Sequence, residues 1–142
     1  MSKDLPASFS IKIIDSASRQ ELIRLYKEAG WWELSYEKNL DFLNHIVEDS
    51  ALFAGAFFKK KLIGMGRALS DLASDAYIQD VTVLKEFRGQ GIGRKIIEAL
   101  IKELKKKNVD WIGLIAEPGT ASFYTEIGFD ILKDHVPLRY KG

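Results

Sequence analysis

One segment of the chain, residues 76–116, constrains the fold more than any other because it alternates between strand and helix patterns. AYIQDVTVL at 76–84 is rich in β-branched residues and alternates between apolar and polar positions, which is typical of a strand. Residues 92–106 have isoleucines and leucines on one side of a helix and lysines on the other. VDWIGLIA at 109–116 is almost continuously apolar, as in a central strand. The segment therefore predicts two parallel strands joined by a right-handed helical crossover.

The remaining strand and helix patterns lie on both sides of this unit. They are a strand at 9–14, helices at 18–29 and 36–48, strands at 51–58 and 62–70 around a turn at 59–61, a helix at 119–127, and strands at 129–132 and 136–140. The resulting order, β-α-α-β-β-β-α-β-α-β-β, predicts an α/β (α+β) fold with a mixed, mostly antiparallel central sheet flanked by helices. The length of 142 residues predicts a single domain that spans residues 1–142.

Composition excludes several classes of function. A formal net charge of +1 is too small for a general nucleic-acid binder, so we expect no nucleic-acid partner. The chain has no cysteine, which rules out disulfides and thiol catalysis, and with only 2 histidines we expect no metal site. No apolar run reaches the ~18 residues that a membrane span needs, and the N-terminus lacks a signal-peptide pattern. We therefore expect a cytoplasmic protein without a membrane partner.

The stretch FRGQGIGRK, residues 87–95, lies between the predicted strand at 76–84 and the predicted helix at 92–106. Its three glycines stand at alternate positions next to basic residues. A helix N-terminus presents unpaired N–H groups, and glycines allow positive φ and a close approach of the backbone to a ligand. The stretch therefore predicts a cradle for a phosphate group. Its spacing matches neither the dinucleotide pattern G-x-G-x-x-G nor the nucleotide loop G-x-x-x-x-G-K-[ST].

Two segments of the sequence resemble the GNAT superfamily of N-acetyltransferases. VTVLKEFRGQGIGRKII, residues 81–97, is similar to its acyl-coenzyme A motif, Arg/Gln-x-x-Gly-x-Gly/Ala, through Arg88, Gly91 and Gly93. SFYTEIGF, residues 122–129, is similar to its Phe-Tyr-x-x-x-Gly-Phe signature. The order of the predicted elements also resembles the GNAT fold. The resemblance implies acetyl-CoA as the cosubstrate and acetyl transfer to a primary amine.

The resemblance also implies which residues hold the cosubstrate. Main-chain N–H groups of the glycine-rich stretch would bind its pyrophosphate. Main-chain groups of the preceding strand, at Val81 and Val83, would pair with pantetheine and polarise the thioester carbonyl. Glu117 stands on the cofactor side, where the family often has an asparagine. The implied pyrophosphate-binding residues are Arg88, Gly89, Gln90, Gly91, Ile92, Gly93 and Arg94.

Two residues are implied as catalytic. Tyr124 matches the family tyrosine that is placed to protonate the leaving thiolate, and a phenol with a pKa of about 10 suits that transfer. Because an alkylamine is mostly protonated at neutral pH, a base must remove a proton before the attack. Asp80 lies in IQDVTV, which is similar to Ile-Glu-Asp-Val-Val-Val of the glucosamine-phosphate acetyltransferase branch. It either orients or deprotonates the amine, or it is hydrogen-bonded to neighbouring backbone. The other candidate bases are Glu117, Glu33, Asp71, Asp75, His45 and His135.

The acceptor site is expected near the connection between the first two helices, which forms one wall of that site in the GNAT fold. Trp31 and Trp32 are adjacent, so one is expected in the core and the other, with Tyr36 and Arg67, along the acceptor pocket. His45 is predicted to be a packing histidine on the second helix rather than a base.

The predicted function is that of an enzyme, an acetyl-CoA-dependent N-acetyltransferase. Its acceptor is predicted to be a small-molecule amine that attacks directly in a ternary complex. A protein lysine or N-terminus is the alternative acceptor, and a non-catalytic acyl-CoA-binding module or a nucleotide-dependent enzyme is the alternative class. A monomer or homodimer is expected, since VPLRY at 136–140 either pairs with a second subunit or closes its own sheet.

Overall fold

The fold is a five-stranded sheet with helices on both faces, within residues 8–142, which are the residues that the computed structural model describes. Its elements are β1 Phe9–Ile13, α1 Arg19–Ala29, α2 Phe42–Glu48, β2 Leu52–Phe58, β3 Lys61–Leu69, β4 Asp75–Val83, α3 Ile92–Lys106, β5 Trp111–Gly113 and α4 Ala121–Ile127. The strands are ordered β1-β2-β3-β4-β5, antiparallel from β1 to β4 and parallel between β4 and β5. The predicted mixed, mostly antiparallel sheet is therefore confirmed.

The alternation of side chains along β3 assigns the helices to opposite faces of the sheet. Gly64 and Gly66 face α3, and a Cβ at Gly66 would lie 2.7 Å from Cγ2 of Ile96. Arg67 points to the other face, where its side chain and that of Tyr26 in α1 bind the same carboxylate. The glycines thus allow α3 to pack closely on the middle of the sheet, while α1 covers the opposite face.

Local sequence signals set the ends of α1 and the turn between β2 and β3. The Ser18 side chain caps α1 by accepting a hydrogen bond from the main-chain N–H of Glu21 at 3.4 Å, and Gly30 ends the helix in the left-handed conformation. Lys59 and Lys60 both have positive φ, 48° and 71°, which is the backbone of a tight hairpin turn. The predicted hairpin between the second and third strands is confirmed.

The prediction of one continuous helix at 36–48 is wrong. Residues Leu34–Lys38 form a short 3-10 helix, and α2 begins only at Phe42. Between them the Asn39 side chain accepts a hydrogen bond from the main-chain N–H of Asp41 at 2.9 Å. This local side-chain turn offers the backbone an alternative to helical hydrogen bonds, so the helix is interrupted.

The end of the chain also differs from the prediction. β5 is limited to Trp111–Gly113, and residues 129–132 and 136–140 form no strand. Alternating apolar residues form a strand only where a neighbouring strand can pair with them. Leu138, in the middle of the second of these segments, is 89% exposed. Pro137 also has no N–H to donate to a ladder. The last two strands of the predicted order are therefore absent from the part of the chain that the structure describes.

Candidate active site

β4 separates from β5 part of the way along its length and leaves an open edge. The two strands pair only between residues 75–77 and residues 111–113, whereas β4 continues to Val83. Beyond Tyr77, no strand within residues 8–142 pairs with this edge of β4. A strand edge with free N–H and C=O groups can bind an extended ligand by main-chain hydrogen bonds. The edge therefore forms one wall of a cleft in the sheet.

A bulge in β4 lies along this cleft. The register between β3 and β4 shifts so that Asp80 and Val81 together oppose the single residue Gly66. Asp80 takes the left-handed conformation, with φ of 55°, which glycine often occupies in bulges of this kind. A bulge takes one residue out of the ladder and redirects its neighbours, so main-chain groups near Val81 become available to a ligand. The predicted role of Val81 in polarising a carbonyl group depends on this bulge.

The glycine-rich stretch forms the turn between β4 and α3. Gly89 and Gly91 have φ of 79° and 82°, and an added Cβ at either would meet no atom within 4 Å. The backbone conformation, and not lack of space, therefore favours glycine at both positions. Gly91 is the N-cap of α3, and no side chain of the described residues caps this helix. The first N–H groups of α3 thus have no partner inside the helix, which is the arrangement that an anion cradle needs.

The arginines of this turn make contacts within the protein. The Arg88 side chain donates from Nε to the carbonyl oxygen of Val83 at 2.8 Å and ties the turn to the end of β4. Nε of Arg94 lies 3.7 Å from Oε2 of Glu98, one turn further along α3. Arg88 therefore shapes the turn with its side chain, in addition to the main-chain contact with pyrophosphate that the resemblance implies.

The short helix α4 packs against the glycine-rich turn and includes the predicted acid. A Cβ at Gly93 would lie 3.4 Å from the ring of Phe123, an ordinary contact distance, so α3 and α4 meet at this position. Tyr124 is half-buried between Phe123 and Phe129, with ring centroids 5.0 and 5.9 Å from its own. Burial raises the pKa of the Tyr124 hydroxyl, and the charge of Glu117 adds to the rise. The hydroxyl therefore keeps its proton at neutral pH and can act as a donor.

A cavity of ≈ 280 Å³ lies beside the open edge of β4. Aromatic rings and two carboxylates line it together with aliphatic side chains. The lining residues are Trp31, Tyr77, Ile78, Gln79, Asp80, Ile115 and Glu117. Nε1 of Trp31 donates a hydrogen bond to Oε1 of Glu117 at 3.2 Å, which joins two walls of the cavity. Carboxylates and ring faces in a partly enclosed space attract a cationic amine.

A second, larger depression does not share these features. It has a volume of ≈ 590 Å³ and lies between the end of β1 and the end of α2. None of the predicted site residues lines it. Of these two cavities, only the smaller one adjoins the cleft and the bulge and is lined by predicted site residues.

Asp80 is held by two donors that come from different elements. Tyr26 of α1 donates from its hydroxyl to Oδ2 of Asp80 at 3.0 Å, and Arg67 of β3 donates from Nε to the same oxygen at 2.8 Å. The side chains of Arg67 and Asp80 are 19% and 24% exposed, so this ion pair is largely shielded from water. Burial raises the pKa of Tyr26 well above its ordinary value, and the Asp80 carboxylate adds to the rise. Tyr26 therefore acts only as a donor here.

Three predicted site residues, Trp31, Asp80 and Glu117, meet at the cavity. Arg67 does not line it, and its guanidinium is paired with Asp80. Tyr26 was not predicted as a site residue, because its spacing in α1 is that of an ordinary core position. Its partner is 54 residues away in the sequence, so no local pattern signals the contact.

Two other residues predicted to bind the acceptor, Trp32 and Tyr36, belong to an aromatic cluster. Their ring centroids lie 5.4 Å apart, and Tyr36 lies 4.8 Å from the ring of Phe42. They do not line the cavity, and their role in acceptor binding stays a prediction.

The prediction of a packing histidine at position 45 is wrong. The His45 side chain is 67% exposed and lies 2.6 Å from the carboxylate of Asp49 on the surface of α2. The cavity is also not lined by the other candidate bases, which are Glu33, Asp71, Asp75 and His135.

The open strand edge, the anion cradle and the cavity adjoin β4, and the half-buried Tyr124 lies near Glu117, which lines the cavity. This arrangement defines a class of α/β protein that can hold an extended, phosphate-bearing ligand in a split sheet next to a second, cationic ligand. The sequence matches the Acetyltransferase (GNAT) family over residues 14–129. The chain belongs to this family. None of the helices in the described part of the chain is long and apolar enough to cross a membrane.

Individual relatives agree with this assignment. The chain is similar to the uncharacterized N-acetyltransferase ycf52 of Gracilaria tenuistipitata var. liui, with 33% identity over 109 residues, and the match covers 77% of this chain but only 60% of that protein. It is 43% identical over 72 residues to GCN5-related N-acetyltransferase 2, chloroplastic, of Arabidopsis thaliana, which covers 51% of this chain and 28% of that protein. The GNAT family acetyltransferase SP0256 from Streptococcus pneumoniae TIGR4 has the same fold, with a TM-score of 0.80 at 22% identity over 94% of this chain and 98% of that chain.

Proposed function

We propose that this protein is an N-acetyltransferase that moves an acetyl group from acetyl-CoA to the primary amine of a small metabolite, by direct attack in a ternary complex. One observation supports this proposal most strongly: a phosphate cradle, a bulged open strand and a cavity adjoin the same strand, β4, and a protonated tyrosine lies near Glu117 in the wall of that cavity. Acetyl transfer to an amine is a reaction that uses all four features.

The residues of the cleft fit acetyl-CoA. The unpartnered N–H groups at the start of α3 would hold the pyrophosphate, and the positive φ of Gly89 and Gly91 keeps the turn in the conformation that exposes them. The open edge of β4 at Val81 and Val83 would pair with the pantetheine arm. Acetyl-CoA supplies an acetyl group that is activated for attack by an amine.

In the proposed reaction the amine nitrogen bonds to the acetyl carbon, and the bond between that carbon and sulfur breaks. The main chain at Val81 stabilises the charge that develops on the acetyl oxygen, and Tyr124 gives its proton to the departing sulfur. Its raised pKa keeps Tyr124 protonated until that moment. Glu117 is favoured as the group that takes the proton from the amine, because Oδ2 of Asp80 already accepts two hydrogen bonds.

The size and charge of the cavity favour a small amine as the acceptor. A volume of ≈ 280 Å³ suits a compact molecule, and the carboxylate of Glu117 attracts an ammonium group, whereas that of Asp80 is already paired with Arg67. A lysine side chain or N-terminus of a protein is the alternative acceptor, and a peptide would need an extended groove. Glu117 beside Tyr124 counts against a non-catalytic module, because binding alone needs neither an acid nor a base.

The expectations about cellular context stay predictions. They are a cytoplasmic location, a single domain, and a monomeric or homodimeric state without nucleic acid or membrane. The Arabidopsis relative is chloroplastic by name, so a plastid location is the alternative.

A thermal-shift series with acetyl-CoA, CoA, ATP and NAD at matched concentrations tests the proposal. A ligand at about 100 times its Kd adds about 2.7 kcal/mol of stability, a shift of several degrees for a protein of this size. We expect shifts with acetyl-CoA and CoA only, followed by amine-dependent thiol release from acetyl-CoA. A shift with ATP or NAD instead, or none with CoA, would overturn the proposal. Thiol release that occurs with a peptide but with no small amine would instead favour a protein lysine or N-terminus as the acceptor.

A further inference from the structure

We propose that Tyr26 and Arg67 are positioning residues that hold the Asp80 carboxylate and thereby fix the bulge of β4. The inference rests on the proposed function, in which the main chain at Val81 faces the acetyl oxygen. It assigns Asp80 to the support of the backbone rather than to proton transfer, and it gives Tyr26 a role in the reaction without contact to either substrate.

The backbone at Asp80 needs such support. A residue with a side chain adopts positive φ infrequently, aspartate more readily than most, and Asp80 does so at 55° within a strand where two residues oppose one. A strained conformation of this kind persists only where the surrounding structure holds it. Contacts of the Asp80 side chain supply this support.

Those contacts come from elements on either side of the Asp80 side chain. Tyr26 of α1 and Arg67 of β3 both donate to Oδ2, at 3.0 and 2.8 Å. Tyr26 is only 7% exposed, and the shielding of this pair from water strengthens hydrogen bonds to a charged group. Rotation of the Asp80 side chain would break both bonds together, so the carboxylate is fixed in one orientation.

The hydrogen bonds extend beyond the bulge. Nη1 of Arg67 lies 3.4 Å from the hydroxyl of Ser50, which donates to the carbonyl oxygen of Ile46 in α2 at 2.6 Å. The bulge is thus connected to α1, β3 and α2. Neither Tyr26 nor Arg67 lines the cavity, so they act through the residues that they contact. Both hold Asp80, and the Tyr26 ring also packs edge-on against Trp31, with centroids 5.5 Å apart, a contact that Tyr26→Phe retains.

Two substitutions at Asp80 separate support of the backbone from proton transfer. Asp80→Gly removes the carboxylate but adopts positive φ without strain, whereas Asp80→Ala removes the carboxylate and disfavours that conformation. If Asp80 were the base, both variants would lose activity equally, together with the acidic limb of the pH profile of kcat/KM. If Asp80 supports the bulge, Asp80→Gly keeps kcat within about tenfold and keeps the acidic limb, while Asp80→Ala loses about 100-fold or more.

Tyr26→Phe and Arg67→Met test the two donors. We expect kcat to fall about tenfold for Tyr26→Phe and about 100-fold for Arg67→Met, with the KM for the amine within about twofold, because a displaced oxyanion donor affects the transition state more than binding. The matched controls are Tyr140→Phe and Arg19→Met, which change an exposed tyrosine and a surface ion pair and should retain wild-type kcat. Unchanged kcat in both donor variants overturns the proposal.

The hydrogen bonds of Tyr26 and Arg67 to Asp80 form a clamp on the bulge. Hydrogen exchange followed by mass spectrometry tests this clamp without an activity assay. Peptides that cover residues 78–83 should exchange faster in Tyr26→Phe than in wild type, while peptides from α3 stay unchanged. Equal exchange in residues 78–83 overturns the clamp even if the wild-type enzyme is active. Conversely, faster exchange in a protein that neither binds CoA nor releases thiol would support the clamp and overturn the proposed function.

Discussion

Replacing Gly91 by alanine tests the anion cradle with a minimal change. Gly91 has φ of 82°, and a Cβ there would meet no atom within 4 Å, so the substitution adds backbone strain without a steric clash. The left-handed conformation costs a residue with a side chain about 1–2 kcal/mol. This cost must appear either in the stability of the free protein or in its affinity for the ligand.

Whether this cost appears as lost stability or as lost affinity depends on whether the turn can relax in the free protein. If the turn relaxes in the free protein, binding must restore the strained conformation, and the Kd for CoA rises about 5- to 30-fold, since 1.4 kcal/mol corresponds to about tenfold. If the turn cannot relax, Tm falls by about 3–10 °C and the Kd is unchanged. Because residues 88–91 are exposed, we expect the first result to dominate. In either case the two losses should together amount to about 1–2 kcal/mol.

Gly30→Ala is the matched control for this experiment. Gly30 has φ of 81° and also has no atom within 4 Å of an added Cβ, but it ends α1 and lies outside the cradle. It should lose stability and keep the wild-type Kd. Calorimetric titration with CoA and thermal unfolding of both variants give the two quantities. If Gly91→Ala changes neither quantity, or if Gly30→Ala weakens CoA binding as much, the reasoning is refuted.

Four further predictions use other parts of the structure. Tyr124→Phe should bind CoA with the wild-type Kd in calorimetric titration and lower kcat about 100-fold, and wild-type kcat would remove the tyrosine from the mechanism. Because burial and the charge of Glu117 raise the pKa of Tyr124, kcat should fall only above the ordinary range of a tyrosine as pH rises, and a fall within that range would contradict the assignment. Gly66→Ala should destabilise the protein by about 1–3 kcal/mol in denaturant unfolding, because its Cβ would lie 2.7 Å from Ile96, and unchanged stability would contradict the packing of α3. Leu138→Ser should leave Tm unchanged, because this side chain is 89% exposed, and a loss of several degrees together with a change in mass by light scattering would show that a second subunit covers it.

The cradle and the helix behind it were predictable from the sequence because their signals are local. The apolar periodicity predicts a helix at 92–106, and α3 spans Ile92–Lys106. Alternate glycines before such a helix indicate positive φ directly, and Gly89 and Gly91 adopt it. These features depend on residues that are close together in the sequence, so one sequence is enough to predict them.

The bulge and its clamp were not predictable, because they depend on contacts between distant elements. IQDVTV has the alternation of an ordinary strand, and nothing in it signals that Asp80 adopts positive φ. Tyr26 has the spacing of a core residue, and its hydroxyl finds its partner only once α1 packs on the sheet. The missing strands near Leu138 have the same origin, since alternation does not tell whether a neighbouring strand exists.

A crystal structure with CoA bound tests the central claim most directly. We predict pyrophosphate oxygens within about 2.7–3.2 Å of main-chain nitrogens between Gly89 and Arg94, the pantetheine arm along the open edge of β4, and the Tyr124 hydroxyl next to the sulfur. A pyrophosphate bound away from the glycine-rich turn, or a thiol outside the reach of Tyr124, would contradict it.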